Sequence, residues 1–229
     1  MALLGSRDGV TSIETRGGLA NVSQIRRQVP LYDTADELCA VARDIGADAG
    51  EMRLGARATE REVKTMSASG QLAQYRIVHF ATHGVMAGQL NGSIELGLIL
   101  TPPDTAGEDD DGYLSASEIV ALKLDADWVI LSACNTAAGN AANAEALSGA
   151  ARAFIYAQAR ALLVSHWAVD SKATVKLVTS SIREIARDRS VGRAEALRRS
   201  MLTLIDKGDP REAHPAYWAP FIVVGEGAR

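Results

Sequence analysis

The segment "RIVHFATHG" (residues 76–84) joins a short apolar run to a histidine and a glycine. Its first five residues have the length of a strand and are nearly continuously apolar, which is typical of a parallel strand buried on both faces. His83 and Gly84 follow at the carboxyl end of that strand, where sites form in open α/β sheets. The segment therefore predicts one strand of a parallel sheet with a functional residue at its end.

Four more apolar runs of similar length follow along the chain, namely "LGLIL" (96–100), "DWVILS" (127–132), "RALLVS" (160–165) and "PFIVV" (220–224). Helical patterns lie between most of these runs and cover residues 145–159, 171–187 and 193–206. Alternation of strands and helices predicts an α/β fold with a mostly parallel central sheet and helices on both faces.

Two helices are predicted ahead of the first long strand from their capping residues. In "TADELCAVARDIG", Thr34 and Glu37 have the spacing of a capping box, and Gly46 is a suitable C-cap. In "TEREVKTM", Thr59 and Glu62 repeat the same pattern at the start of a second helix.

The composition excludes several classes of function. The 229 residues carry a formal net charge of −4, so no basic surface for nucleic acid or anionic membrane is predicted. There is no signal-peptide core and no apolar stretch long enough to span a membrane. Cys39 and Cys134 lie far apart and do not form a disulfide framework, which predicts a reducing, cytoplasmic location. Cys39 is expected to pack inertly beside the apolar face of its helix.

Two segments have weaker signals. Residues 1–28 are interpreted as an N-terminal arm, or as an incomplete first part of the domain that covers residues 29–229. The acidic loop "PPDTAGEDDDG" (102–112) is interpreted as a solvated connection, because it lacks the ligand spacing and the terminal Glu of a calcium-binding loop.

Three predicted strands end in residues that can do chemistry, namely His83, Cys134 and Asp170. If the first two strands are neighbours, about 5 Å apart, His83 and Cys134 face each other across the edge of the sheet. A neighbouring base and a following helix N-terminus both favour the thiolate form of a cysteine. A lone buried cysteine is usually a small hydrophobe, so the pairing with His83 carries the catalytic interpretation.

The remaining residues near these strand ends have supporting roles. The backbone N–H groups of Gly84 and Cys134 are candidate donors to an oxyanion, and Gly84 has no side chain to obstruct a substrate carbonyl. His79 lies inside its strand and is interpreted as a core contact or as support for the loop. His166 is interpreted as a loop or pocket residue, and His214 as a structural residue.

Cys134 lies 51 residues after His83, close to the caspase spacing of about 50. The motifs "HFATHG", "DGYLSASEI", "DWVILSACNTA", "EALSGAARAFIYAQARALLVSHWAVD" and "HPAYWAPFIVVGEG" together resemble the CHAT domain, a caspase-like domain related to separases and other His–Cys peptidases. The resemblance runs from about residue 29 to the C-terminus. It implies a caspase-like three-layer sandwich and a cysteine endopeptidase with His83 and Cys134 as its dyad and with no metal or organic cofactor.

The resemblance also implies residues that bind substrate. In related peptidases the strand and loop after the nucleophile line the pocket for the P1 side chain, which here corresponds to "LLVSHWAVD" with Ser165, Trp167 and Asp170. Asp170 is a candidate partner for a basic P1 residue, because a carboxylate pairs well with Arg or Lys. An N-cap role for Asp170, ahead of a helix that starts near Ser171, is an equally good interpretation.

CHAT domains usually carry further N-terminal strands, so the sheet is expected to have an unpaired edge that an activating partner or a second copy completes. Partners from nucleic acid or membrane are not predicted. Two alternatives to the endopeptidase stay open. One is a scaffold or signalling module with little or no hydrolysis. The other is a small-molecule thiol hydrolase, which needs a closed cavity where a peptidase needs an open groove.

Overall fold

The computed structural model describes residues 13–16, 18–85, 90–91, 96–132, 149–167 and 170–228. The strands within these ranges are β1 (Ile13–Arg16), β2 (Leu19–Ala20), β3 (Ile77–Phe80), β4 (His83–Val85), β5 (Leu90–Asn91), β6 (Gly97–Ile99), β7 (Tyr113–Ser115), β8 (Trp128–Leu131), β9 (Ala161–Ser165) and β10 (Phe221–Gly225). The α-helices are α1 (Val22–Arg26), α2 (Asp33–Ile45), α3 (Glu60–Ala68), α4 (Ala116–Val120), α5 (Gly149–Tyr156), α6 (Ser171–Arg187) and α7 (Arg193–Lys207).

The central sheet has the strand order β10-β9-β8-β3. Strands β3, β8 and β9 run parallel to one another, and β10 is antiparallel to β9. Ile77 pairs with Trp128 and Phe80 with Leu131, so the strands that precede His83 and Cys134 are neighbours, which is the condition for the two residues to face each other. The mostly parallel sheet is therefore confirmed, and among the described residues β3 forms one of its edges.

Helices cover both faces of this sheet, which gives three layers. Successive side chains of a strand point to opposite faces. On one face, Phe80, Leu131 and Val164 belong to the core that includes residues of α3, α4 and α5. On the other face, Trp128, Ile130 and Leu163 pack with residues of α2, α6 and α7. Burial from both sides explains why the strands are apolar at nearly every position, and it confirms the predicted α/β sandwich.

The run "LGLIL" lies outside the central sheet, which corrects the sequence prediction. Its strand β6 pairs antiparallel with β4 and β7 in a separate three-stranded sheet. Leu98 faces the main core, whereas Ile99 packs in a smaller core with Ile13 and Ile25. Because this antiparallel strand is also buried on both faces, its sequence has the same continuous apolar pattern as a central parallel strand.

The acidic loop is anchored at its end, so its interpretation as a solvated connection is wrong for Asp110 and Asp111, which are 3% and 7% exposed. The Asp111 carboxylate accepts hydrogen bonds from the backbone N–H groups of Ala20 (2.6 Å) and Tyr113 (2.9 Å). The Glu60 carboxylate accepts hydrogen bonds from the backbone N–H of Asp111 and of the residue after it. These contacts tie the N-terminal segment, α3 and the loop together.

Helix capping follows the sequence at α3 and at the carboxyl end of α2, but not at the amino end of α2. Thr59 caps α3 and accepts a hydrogen bond from the Glu62 N–H, and Gly46 ends α2 with a φ of +72°. The predicted capping box of α2 is wrong, since Tyr32 is the N-cap and Glu37 is fully buried against the sheet. Cys39 is exposed rather than packed, so that prediction is also wrong.

None of the described helices has both the length and the apolar character that are needed to cross a bilayer.

Glu60, which binds the anchored loop, is a buried carboxyl with a raised pKa. Its carboxylate is 1% exposed and forms an ion pair with Lys64, which also lies 2.7 Å from a carboxylate oxygen of Glu118. Burial raises the pKa of Glu60 to about 7, even though Lys64 and the Asp111 N–H stabilise the charged form. The folded protein therefore binds this proton more tightly than the unfolded chain does.

We expect Glu60 to make the protein less stable as the pH rises. Its pKa in the fold is above the ordinary value of 4.5, so the stabilising protonation is complete below about pH 4.5 and is lost as the pH rises through about 7. The Glu60→Gln variant should lack this loss, which is on the order of 2 kcal/mol of unfolding free energy between about pH 5 and 8. Urea denaturation at both pH values measures it. Glu108→Gln, which alters an exposed carboxyl in the same loop, should keep the wild-type pH dependence. Parallel curves for Glu60→Gln and the wild type would contradict the assignment.

Candidate active site

His83 lies just beyond the carboxyl end of β3, but a different sheet holds it. The chain leaves β3 through Ala81 and Thr82, and His83 is the first residue of β4, where it pairs with Ile99. The Thr82 hydroxyl donates a hydrogen bond to the Ile99 carbonyl, which fixes the same junction from its other side. The His83 backbone is therefore held in the small sheet, directly after the chain leaves the central sheet, and the residue is only 9% exposed.

The imidazole of His83 is oriented by a backbone carbonyl. Its Nε2 lies 2.8 Å from the carbonyl oxygen of Val29. A carbonyl can only accept a hydrogen bond, so Nε2 carries the hydrogen, and in the neutral ring the basic lone pair is then on Nδ1. Val29 was not among the predicted site residues. No sequence pattern marks it, because its contribution comes from the main chain and not from the side chain.

Cys134 lies outside the described residues, as does its backbone N–H. The strand that leads to it is described as far as Ser132, two residues earlier. The Ser132 N–H donates a hydrogen bond of 2.9 Å to the Phe80 carbonyl at the end of β3. The carboxyl ends of β3 and β8 are thus tied to each other immediately before the two segments that carry the predicted dyad.

A buried polar network lies beneath these strand ends. His79 Nε2 is 2.8 Å from the Ser132 hydroxyl and 3.0 Å from Glu37 Oε1, and the same hydroxyl donates to Glu37. The side chains of His79 and Glu37 are 6% and 0% exposed. A catalytic Ser–His–acid triad uses one ring nitrogen for the serine and the other for the acid, whereas here both contacts converge on Nε2. His79 is therefore a core contact, as predicted, and the network connects α2 to β3 and to the end of β8.

The residues predicted to bind substrate differ in how far they are exposed to solvent. Gly84 is half-buried in β4, opposite Leu98. Ser165 is fully buried at the end of β9, whereas Trp167 is 43% exposed. Of Ser165 and Trp167, Trp167 is therefore the residue whose side chain is accessible.

Asp170 is the N-cap of α6. Its side chain accepts a hydrogen bond of 2.9 Å from the Ala173 N–H, which confirms the capping interpretation. The carboxylate is exposed, and its role in a P1 pocket stays a prediction. His214 has the structural role predicted for it, since its Nδ1 accepts a hydrogen bond from the Ala216 N–H.

Metal binding has no candidate in the described part of the chain, where no three His, Cys, Asp or Glu side chains are grouped closely enough to hold an ion.

The comparison with known proteins gives one family. A search of curated protein sequences finds no significant match. The family model of the CHAT domain matches residues 13–226, which includes β1, β2 and α1 ahead of the motifs quoted above. This match covers the central sheet, the small sheet that holds His83 and the strands on both sides of the predicted dyad. The chain therefore belongs to the CHAT domain family, which is related to the caspase-like cysteine peptidases.

Proposed function

We propose that this CHAT domain is a cysteine endopeptidase with His83 as its base and acid and Cys134 as its nucleophile. The hydrogen bond between His83 Nε2 and the Val29 carbonyl carries the proposal, because it leaves Nδ1 as the ring atom that can accept a proton. The adjacency of β3 and β8 supports the pairing, since these strands lead to the two residues.

The proposed reaction needs only the groups of this chain. His83 Nδ1 takes the proton from the Cys134 thiol, and the thiolate attacks the carbonyl carbon of the scissile peptide bond. The backbone N–H groups of Gly84 and Cys134 donate to the oxyanion that forms. The protonated His83 gives its proton to the leaving amine as the carbon–nitrogen bond breaks, which leaves a thioester. His83 then activates a water molecule that hydrolyses the thioester and restores the thiol.

The proposed substrate is a protein segment with Arg or Lys at P1, in a reducing cytoplasmic compartment. The exposed carboxylate of Asp170 is the proposed partner of that basic side chain, and the exposed indole of Trp167 supplies an apolar surface beside it. One carboxylate oxygen of Asp170 caps α6. The second oxygen is the one proposed to meet the P1 group.

Covalent labelling tests the proposal, and the chain contains its own control. Cys39 is an exposed free thiol that reports ordinary cysteine reactivity in the same molecule. A peptidyl thiol-reactive probe with Arg at P1 should modify Cys134 about 100-fold faster than Cys39 at pH 7, as located by mass mapping. The Cys134→Ala variant should keep only the slow reaction. Equal rates at the two cysteines would contradict an activated thiol, and equal rates with a Leu probe would remove Asp170 from the P1 pocket.

A scaffold or signalling module is the second candidate function. The observation that favours it is the edge position of β3 among the described strands of the central sheet, since an edge strand invites pairing with another chain. Efficient labelling at Cys134 would favour the peptidase over the scaffold.

A further inference from the structure

The carbonyl that orients His83 comes from a separate part of the chain. Val29 is the last residue of the segment 18–29, which contains β2 and α1. His83 belongs to β4 of the small sheet, and its Nε2 lies 2.8 Å from the Val29 carbonyl oxygen. This hydrogen bond therefore forms only while the segment 18–29 and the small sheet keep a fixed position relative to each other.

Apolar side chains attach the segment 18–29 to the small sheet. Ala20 and Ile25 are 3% and 0% exposed. They pack in the small core with Val85, Ile99 and Tyr113. Hydrophobic contact is non-directional, so it holds the segment on the sheet without defining where on the sheet the segment lies. Hydrogen bonds are needed to define that position.

The carboxylate of Asp111 hydrogen-bonds both the segment and the small sheet. One oxygen accepts the Ala20 N–H at 2.6 Å, and the other accepts the Tyr113 N–H at 2.9 Å. Tyr113 is the first residue of β7, which pairs with β6, and β6 pairs in turn with β4. A single side chain therefore links the segment that carries Val29 to the strands that carry His83.

Asp111 is itself held in place, and its contacts require a carboxylate. Its backbone N–H and that of Gly112 donate to the Glu60 carboxylate at 2.8 Å and 3.0 Å. The residue is 7% exposed, so water has little access to replace a lost hydrogen bond. Two N–H donors need two acceptor oxygens, and an asparagine has only one, because its other terminal group is itself a donor.

A second contact joins the same loop to the same segment, but it is at the surface. Arg26 in α1 donates to the Pro103 carbonyl and to the Asp104 carboxylate, each at 2.8 Å. The Asp104 side chain is fully exposed, and an exposed ion pair contributes little to stability. The buried contact at Asp111 is therefore the one that controls the position of the segment.

We propose that Asp111 is a positioning residue for His83. Its carboxylate holds the segment 18–29 at one place on the small sheet, so that the Val29 carbonyl meets Nε2 and fixes the imidazole for proton transfer. The effect of Asp111 on the rate of reaction rests on the proposed function. Its effect on the orientation of His83 does not, and the two are measured separately.

Nuclear magnetic resonance measures the orientation of His83. In the wild type we expect a signal from the Nε2 proton, because burial and the hydrogen bond to Val29 slow its exchange with water. The His83→Gln variant lacks the ring and identifies this signal by its loss. The Asp111→Asn variant should lose the signal too. Asp109→Asn removes an exposed carboxylate from the same loop and should retain it.

The labelling of Cys134 measures the effect on the reaction. With the peptidyl probe that has Arg at P1, Asp111→Asn should label Cys134 about 10–100-fold more slowly than the wild type, because a displaced base loses its alignment. Cys39 should react at an unchanged rate in both proteins. Thermal melting verifies that Asp111→Asn is folded at the temperature of the measurement, and Asp109→Asn again serves as the control.

Hydrogen exchange tests the link between the segment and His83 even where Asp111→Asn does not fold. Ile25→Val removes one methyl group from the contact between the segment and the small sheet, so the segment should leave the sheet more often. The Ala20 amide and the His83 Nε2 proton should then both exchange about 2–10-fold faster. Ile182→Val makes the same change in α6, within the core of the central sheet, and should speed up neither proton.

Two outcomes would overturn the proposal. The first is a folded Asp111→Asn variant that retains the Nε2 signal of His83, which would mean that Asp111 contributes only to stability. The second is faster exchange at Ala20 in Ile25→Val without faster exchange at Nε2, which would mean that the segment does not control the imidazole. Wild-type labelling of Cys134 that is no faster than that of Cys39 contradicts the proposed function instead, and the Nε2 signal then decides this inference alone.

Discussion

Replacing His83 with alanine is expected to slow the labelling of Cys134 by a peptidyl probe about 10²–10⁴-fold at pH 7. In the wild type, the Val29 carbonyl fixes the hydrogen on Nε2, so the basic lone pair that is proposed to take the thiol proton is on Nδ1. Alanine removes that base, and Cys134 then reacts only through the small thiolate fraction of an unassisted thiol. The labelling reaction is quenched at a series of times, and mass mapping then gives the rate at Cys134, with Cys39 as the internal standard.

Two further variants separate proton transfer from structure. His83→Gln can still donate a hydrogen bond toward the Val29 carbonyl but cannot act as a base at neutral pH, so its labelling should be as slow as that of His83→Ala. His214→Ala removes a histidine that caps a turn and should label at nearly the wild-type rate. Above about pH 8.5, where an ordinary thiol ionises unaided, the difference between wild type and His83→Ala should narrow. A difference that stays constant with pH would mean that His83 acts only through structure.

Buried periodic segments were the part of the fold that the sequence predicted best. Helix α6 has the predicted bounds, 171–187, because its apolar face repeats with helical spacing against the sheet. The sequence also predicts β3 and β8 as strands of the parallel sheet, since both runs lack the polar alternation of a half-exposed strand. These patterns record burial on one face or on two, and burial is the largest energetic term in folding.

The features missed by the sequence prediction depend on contacts between distant segments. Burial on both faces gives β6 the pattern of a central strand, and nothing local distinguishes its antiparallel partners. Glu37 has the spacing of a capping box, but the tertiary fold turns its carboxylate toward His79 and Ser132. The Val29 carbonyl is a main-chain group that every residue type possesses. Sequence patterns therefore predicted His83, but not the group that orients it.

Replacing Glu37 with alanine is expected to lower the free energy of unfolding by about 3 kcal/mol. The buried Ser132 hydroxyl would lose its acceptor, and His79 would lose one of the two contacts of Nε2, while its Nδ1 already has no hydrogen-bond partner among the described residues. Glu37→Gln keeps an acceptor oxygen at the same place and should cost about 1 kcal/mol. Glu51→Ala removes an exposed carboxylate and should change stability by less than about 0.5 kcal/mol. Urea denaturation of the four proteins measures these differences.

The same variants test whether the network positions the site. Ser132 lies two residues before Cys134 and is bonded to Glu37 and His79, so the loss of Glu37 should let the end of β8 shift. Labelling of Cys134 should then slow even where Glu37→Ala is fully folded, and Glu37→Gln should recover most of the rate. A loss of stability without slower labelling would mean that the network only holds α2 against the sheet and does not position Cys134. Unchanged stability in Glu37→Ala would instead mean that water replaces the carboxylate at no cost, which a site this deeply buried does not favour.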